Sequence, residues 1–211
     1  MSHLDDFTAG DSWNDLIGVP GDEVERLAVQ EVTRRQRNDD PVSVLDADCG
    51  HGTLAVRLAQ AGASVTALID CAKGPGKTAR GLIAKDLPIA FVACRAIDLT
   101  APPAGGPFDL IVLRRSLPFL RYAEATALLT RLNGWLKIGG KIIVSTFGVH
   151  SHFGDAYPDV EKPVQKRFAP LPDELARQYG IAGPICLYSE RDLFILVFES
   201  GIGVLRSFTT T

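Results

Sequence analysis

The sequence predicts an α/β fold: an open, mostly parallel sheet of six or seven strands with helices on both faces. Three observations carry this. Short apolar runs rich in Val, Ile and Leu recur at 42–46, 65–69, 87–94, 108–113 and 141–146, and such runs suit strands covered on both sides. Between them lie stretches with helical spacing of apolar residues, the alternation of a parallel sheet. The first run, Val42-Ser43-Val44-Leu45-Asp46, leads into the turn Cys49-Gly50-His51-Gly52, and the second ends at Asp70. Strand, tight glycine turn, helix, then a strand ending in a carboxylate is how such a sheet builds a pocket for a nucleoside-bearing ligand.

The elements follow in order. Residues 1–40 form a polar, mostly helical segment. Asp22, after Pro20-Gly21, is placed to cap a helix from Glu23 to Arg37, with Val24, Leu27, Ala28 and Val32 on one face. It either packs on the sheet edge or folds back as a lid over the ligand mouth. After the first strand, Thr53–Ala61 reads as a helix with Leu54, Val56, Leu58 and Ala59 toward the sheet, ended by Gly62. Strand two is 65–69, a helix spans Lys77–Lys85, and Leu87–Cys94 carries strand three. Ala101–Pro107 is a loop, Phe108–Leu113 strand four, Tyr122–Leu136 a helix, and Lys141–Thr146 strand five after a Gly139-Gly140 turn. The stretch 147–188 is rich in Pro and Gly and reads as a long irregular insertion. It lies beside the pocket and serves substrate recognition, or is a surface excursion. The tail admits two readings. In the preferred one Ser189 caps a helix through Phe198, Gly201 ends it, and Val204–Thr211 is a strand. In the other, Leu193–Phe198 and Val204–Thr211 form a hairpin.

The 211 residues suit a single domain over 1–211, and 46% hydrophobic with 22% charged residues is a globular composition. A net charge of −3 argues against broad nucleic-acid binding. No apolar run approaches the about 20 residues that span a bilayer. The acidic start Met1-Ser2-His3-Leu4-Asp5-Asp6 is unlike a signal peptide, and four cysteines without paired spacing read as reduced thiols, so a cytoplasmic location is expected.

Gly74-Pro75-Gly76-Lys77-Thr78 evokes a phosphate loop, but Cys71 stands where that pattern needs glycine. Cys49, Cys71 and Cys94 fall at the tips of strands one, two and three. A soft-metal site is conceivable there, but three independent thiols are the simpler reading, so no metal is expected. His150 and His152 beyond strand five, with Asp155 or Tyr157, are candidates for a general base or for holding a substrate, or are exposed loop residues. Arg114 and Arg115 after strand four attract an anionic substrate or are solvated loop charges.

The segment Val44-Leu45-Asp46-Ala47-Asp48-Cys49-Gly50-His51-Gly52, with Leu58 through Asp70, resembles the class I S-adenosylmethionine-dependent methyltransferases. So do Pro107-Phe108-Asp109-Leu110-Ile111-Val112 and Leu132 through Val144. The resemblance spans about residues 40–146. It implies a three-layer Rossmann-like fold whose seventh strand is antiparallel and lies between strands five and six. It implies S-adenosyl-L-methionine as cofactor and a small-molecule methyl acceptor. Asp46, Asp48, Cys49, Gly50, His51 and Gly52 would embrace the methionine part. Asp70 would hold the ribose, Cys71 would touch the adenine, Arg95 and Ala96 would line the adenine edge, and Leu113–Ser116 would face the sulfonium.

The chain departs from the family pattern at two places. Asp48 stands where the family has glycine; it either crowds the cofactor and repels Asp46 or pairs with the cofactor's ammonium. Arg95 stands where an acceptor for the adenine amino group is usual and can only donate; Asp98 could substitute. Under the helix reading of the tail the seventh strand is missing, and a second copy of the chain, as a homodimer, is one way to fill the gap. The rival function is a methyltransferase-fold protein that has lost cofactor binding and acts as a binding or assembly module.

Overall fold

The computed structural model describes residues 22–36, 41–69 and 87–209. The expected Lys77–Lys85 helix, the 74–78 turn, Asp70 and Cys71 lie outside the described residues, as do the first 21 residues. The described chain falls into two compact units: one holds residues 22–114 and 131–145, the other 115–130 and 146–209.

The first unit is built on a parallel sheet. Its strands are β1 (Val42–Asp46), β2 (Ala63–Ile69), β3 (Ile89–Ala93), β4 (Phe108–Arg114) and β5 (Leu136–Ser145), in the order β3-β2-β1-β4-β5. All four pairings are parallel. Helix α1 (Glu23–Gln36) starts where the sequence places it: Asp22 Oδ1 accepts from Glu25 N at 2.8 Å. Helix α2 (Thr53–Gln60) starts at Gly52, and Gly62 follows it with φ +99°. Val24, Ala28 and Val32 of α1 and Leu54, Ala55 and Leu58 of α2 share one core with Val42, Val44, Leu110 and Val112. That face of the sheet is apolar because alternate residues of β1 and β4 point to it.

Strand five begins at Leu136, five residues before the expected Lys141. The Gly139-Gly140 pair is a bulge inside the strand rather than a turn before it: Gly139 has φ +74°, and the register with β4 shifts between Phe108 and Leu110. Helix α3 (Tyr122–Gly134) accordingly stops two residues short of Leu136.

In the second unit, the 147–188 stretch is not simply irregular. It contains β6 (Ala169–Pro170), α4 (Asp173–Tyr179) and β7 (Pro184–Ile185), with β6 and β7 paired antiparallel in a small separate sheet. Helix α5 (Glu190–Glu199) settles the tail in favour of the helix reading. Ser189 and Asp192 form a capping box, and Gly201 has φ +74°. The strand expected at Val204–Thr211 is not formed over 204–209. Val204 and Leu205 stay exposed, and neither joins a sheet of the described residues. Among the described residues the main sheet therefore has five strands, not six or seven.

Candidate functional site

Residue alternation along two neighbouring strands builds the site. Asp46 ends β1 and is in register with Val112 of β4, and Ala47 N donates to Val112 O at 2.9 Å. Residues two apart on a strand face the same way. The stripe Val42-Val44 therefore ends in Asp46, and the stripe Leu110-Val112 ends in Arg114. Two apolar stripes that meet α1 and α2 thus each terminate in a charge, at the carboxyl-terminal tips where open parallel sheets bind ligands.

Both charges are buried, each 1% exposed. The backbone N–H of Asp48 donates to the Asp46 carboxylate, while Asp46 Oδ2 has no hydrogen-bond partner. Burial pushes the Asp46 carboxyl up to about 7; Arg114 pulls it down and Asp48 adds to the rise. A buried carboxylate oxygen without a donor is costly, so its presence points to a ligand that supplies one. Arg114 Nη1 lies 3.6 Å from Asp22 Oδ2 at the start of α1. Arg114 is therefore not the solvated loop charge that one reading of the sequence allowed. Strand four runs one residue further than expected and carries it inward.

The turn between β1 and α2 is shaped by Gly50 (φ 52°) and Gly52 (φ 82°), conformations that favour glycine. Gly52 N donates to Cys49 O at 2.8 Å, and Cys49 N donates to Leu68 O at 3.0 Å, which ties the turn to β2. Cys49 is 1% exposed, and burial together with Asp46 and Asp48 pushes its thiol above the ordinary range. That thiol is a poor nucleophile or metal ligand. Cys94 is partly buried, and no metal-binding group of His, Cys, Asp or Glu occurs among the described residues. Asp48 and His51 are half-buried in the same turn.

At the tip of β3, Arg95 is exposed and holds Asp98 through two contacts, Nε–Oδ2 and Nη2–Oδ1, both 2.8 Å. Asp98 is thus engaged by Arg95 rather than free to replace it as an acceptor. Ala96 is buried at the start of a short 3-10 turn, and Leu113 is fully buried in β4.

The second unit carries the remaining candidates. His150 and His152 are exposed; the His152 ring lies 6.0 Å from that of Tyr179. The Tyr157 hydroxyl donates to Ile185 O at 2.6 Å and accepts from Ala169 N at 3.1 Å, bridging β6 and β7. Burial pushes that hydroxyl up to about 12, so the arrangement gives Tyr157 a structural bond at each of its polar functions. Arg115 stands out, with φ 58° and its guanidinium 5.5 Å from the centre of the Phe147 ring.

Sequence reasoning missed that Arg114 turns inward, on the face that ends in Asp46 and within 3.6 Å of Asp22. The signal was available: the alternation Leu110, Val112, Arg114 runs parallel to Val42, Val44, Asp46.

Comparison with known proteins agrees with this geometry. Residues 44–140 match the family described as a methyltransferase domain. No curated protein sequence matches the chain. The magnesium protoporphyrin IX methyltransferase of Synechocystis, crystallised with S-adenosylhomocysteine, has a TM-score of 0.59 at 19% identity over 94% of this chain and 87% of that one. The 1,6-didemethyltoxoflavin-N1-methyltransferase of Burkholderia thailandensis, with bound 1,6-didemethyltoxoflavin and S-adenosylhomocysteine, gives 0.57 at 19% over 84% and 67%. A SAM-dependent methyltransferase of Leishmania major gives 0.58 at 18% over 94% and 71%. The chain spans only about half the length of some structures of this fold, such as 54% of a Nostoc punctiforme protein and 57% of SibL. The match to the methyltransferase-domain family thus covers a little under half of the chain, and the solved structures share its α/β fold. Among the described residues no helix is long and apolar enough to cross a membrane.

Proposed function

We propose that this chain binds S-adenosyl-L-methionine and transfers its methyl group to a small molecule. The observation that carries the reading is Asp46: a fully buried carboxylate, with one oxygen lacking a donor, beside a turn bent by two left-handed glycines. An α-ammonium is the donor that such an oxygen lacks, so the residues present fit the cofactor's amino-acid end. Asp48, Cys49, Gly50, His51 and Gly52 complete that cradle, and Asp48 adds a second carboxylate toward the ammonium. Ala96 and Arg95 border the adenine, Asp70 and Cys71 are assigned to the ribose and adenine, and Leu113 is assigned to the sulfonium side.

The cofactor supplies an already activated methyl group. What the chain contributes is alignment and exclusion of water, and the reaction does not require a buried catalytic base. Acceptor recognition is assigned to the 147–188 segment, with His150 and His152 as candidate proton acceptors. The small-molecule class is supported by the acceptors named for the Synechocystis and Burkholderia proteins. The proposal includes a cytoplasmic location, no nucleic-acid partner, and a homodimer that light scattering would read directly.

A second reading is favoured by Asp48 and Arg114. A carboxylate where the family has glycine, and a buried guanidinium at the tip of β4, fill the cradle with charge and suit a domain that has given up the cofactor for a binding or assembly role. Calorimetric titration with S-adenosylmethionine and S-adenosylhomocysteine separates the two. Micromolar binding that weakens at least tenfold in Asp46→Ala, as loss of a charged hydrogen bond of roughly 1.5–3 kcal/mol requires, upholds the enzyme reading. Absence of heat at millimolar ligand removes it.

A further inference from the structure

Among the described residues, the charged end of the β1–β4 face brings the Arg114 guanidinium near the carboxylates of Asp46, Asp48 and Asp22. Arg114 projects from β4 on the same side as Asp46 from β1, and it acts on the Asp46 carboxyl electrostatically. On its other side lies Asp22, which already caps α1 through Oδ1 and turns Oδ2 toward the guanidinium at 3.6 Å. That separation is longer than the about 2.7–2.9 Å of a tight charge-assisted bond, so the Asp22 tie is loose. Asp48 faces Asp46 from the turn, next to Cys49. Among the described residues, Arg114 and Asp48 are the charged side chains that act on the Asp46 carboxyl.

We propose that Arg114 is a positioning residue for Asp46: its guanidinium, on the same face of the sheet as Asp46 and 3.6 Å from the helix cap Asp22, sets the charge state in which Asp46 meets the α-ammonium of the cofactor. The inference rests on the cofactor reading and extends it to residues outside the turn. A guanidinium stays protonated across the working pH range. Its pull on Asp46 therefore changes only with its placement, and Asp22 competes for that placement. The site couples the start of α1 to ligand binding: ionisation of Asp46 draws the guanidinium toward it and away from Asp22, and an ammonium that then pairs with Asp46 relaxes that pull back toward Asp22. Asp48 opposes the same ionisation, so the turn and the helix cap act on one carboxyl from opposite sides.

The test is the affinity for S-adenosylhomocysteine, measured by calorimetry from pH 5.5 to 8, in the wild type and in Asp22→Asn, Arg114→Gln and Arg114→Lys. Affinity in the wild type should rise with pH to a midpoint and then level off, because only ionised Asp46 pairs with the ammonium. Asp22→Asn keeps the cap acceptor and releases the guanidinium, so the midpoint moves down. Arg114→Gln moves it up, and Arg114→Lys recovers part of the change. A one-unit movement reads as about tenfold in affinity below the midpoint. A merely structural role for Arg114 would lower melting temperatures and leave the midpoint in place; an unchanged midpoint in Asp22→Asn together with either Arg114 variant overturns the proposal. If the wild type binds no S-adenosylhomocysteine at any pH, the cofactor reading fails by itself. The positioning role is then read from the carbon-13 titration of the Asp46 carboxyl in ligand-free protein. There the same downward and upward movements support it, and a fixed titration overturns it.

Discussion

At the amino-terminal ends of β1 and β4, the Asp109 carboxylate accepts from Ser43 N at 2.9 Å, Ser43 Oγ at 2.9 Å and Lys137 Nζ at 2.7 Å, with Arg35 alongside at 3.5 Å. At the carboxyl-terminal ends of the same two strands, Asp46 keeps an oxygen with no partner. Glu31 of α1 repeats the first pattern, with Arg34 at 2.7 Å, Arg35 at 2.8 Å and Lys141 at 3.0 Å. Identical chemistry is thus used in opposite ways at the two ends of one sheet. Saturated carboxylates stitch helix, strands and bulge together, whereas a starved carboxylate is left where parallel sheets bind ligands. Unmet hydrogen-bonding capacity, rather than charge as such, distinguishes the end proposed to bind the cofactor.

The contrast predicts stability profiles of opposite slope. Burial raises the folded-state carboxyl of Asp46 to about 7 from 3.8. A raised value stabilises the fold below the unfolded-state value, and that contribution is lost as pH climbs through 7. The wild type should therefore lose on the order of 4 kcal/mol relative to Asp46→Asn between pH 4 and pH 8. Urea denaturation of both proteins across that range measures the difference. Parallel profiles would mean that Asp46 is satisfied after all, and the comparison breaks.

Glu31 should behave as the mirror image. Burial alone would raise its carboxyl, but hydrogen bonds from Arg34, Lys141 and Arg35 hold it at about 2, down from 4.5. A depressed value stabilises above the unfolded-state value and is lost as pH falls toward 2. Glu31→Gln should cost about 3 kcal/mol at pH 7, and the gap to the wild type should close as pH drops from 5 to 2. A gap that persists at low pH would assign the loss to packing rather than to the three cations.

Much of this sheet was legible in the sequence, because buried parallel strands write themselves as continuous apolar runs. The Val42–Asp46 strand falls at its expected bounds, and the cap at Asp22 is where Pro20-Gly21-Asp22 announced it. Local signals failed where pairing decides. Gly139-Gly140 has the composition of a turn, yet β4 recruits the residues before it into a bulged strand. Val204–Thr211 has β-branched and aromatic residues suited to a strand, yet over 204–209 it joins no sheet of the described residues. At the site, the glycine turn could be found from spacing alone. The role of Arg114 could not be found that way, because Arg114-Arg115 reads as a polar loop until the strand is seen to continue through it. One residue of extra strand turns a surface charge into a buried one.

Asp22 stands between the two classes, since one oxygen is used as a helix cap and the other faces Arg114. Asparagine caps helices about as well as aspartate, whereas alanine costs about 1 kcal/mol. If the loose 3.6 Å pairing contributes little, Asp22→Asn should change stability by less than about 0.5 kcal/mol and Asp22→Ala by about 1 kcal/mol. Both variants leave the packing of Val24, Ala28 and Val32 untouched, so the difference isolates the cap. Chemical denaturation at pH 7 resolves the two values. Should Asp22→Asn cost as much as Asp22→Ala, the ion pair rather than the cap anchors α1, and Asp22 belongs with the saturated carboxylates at the stitched end.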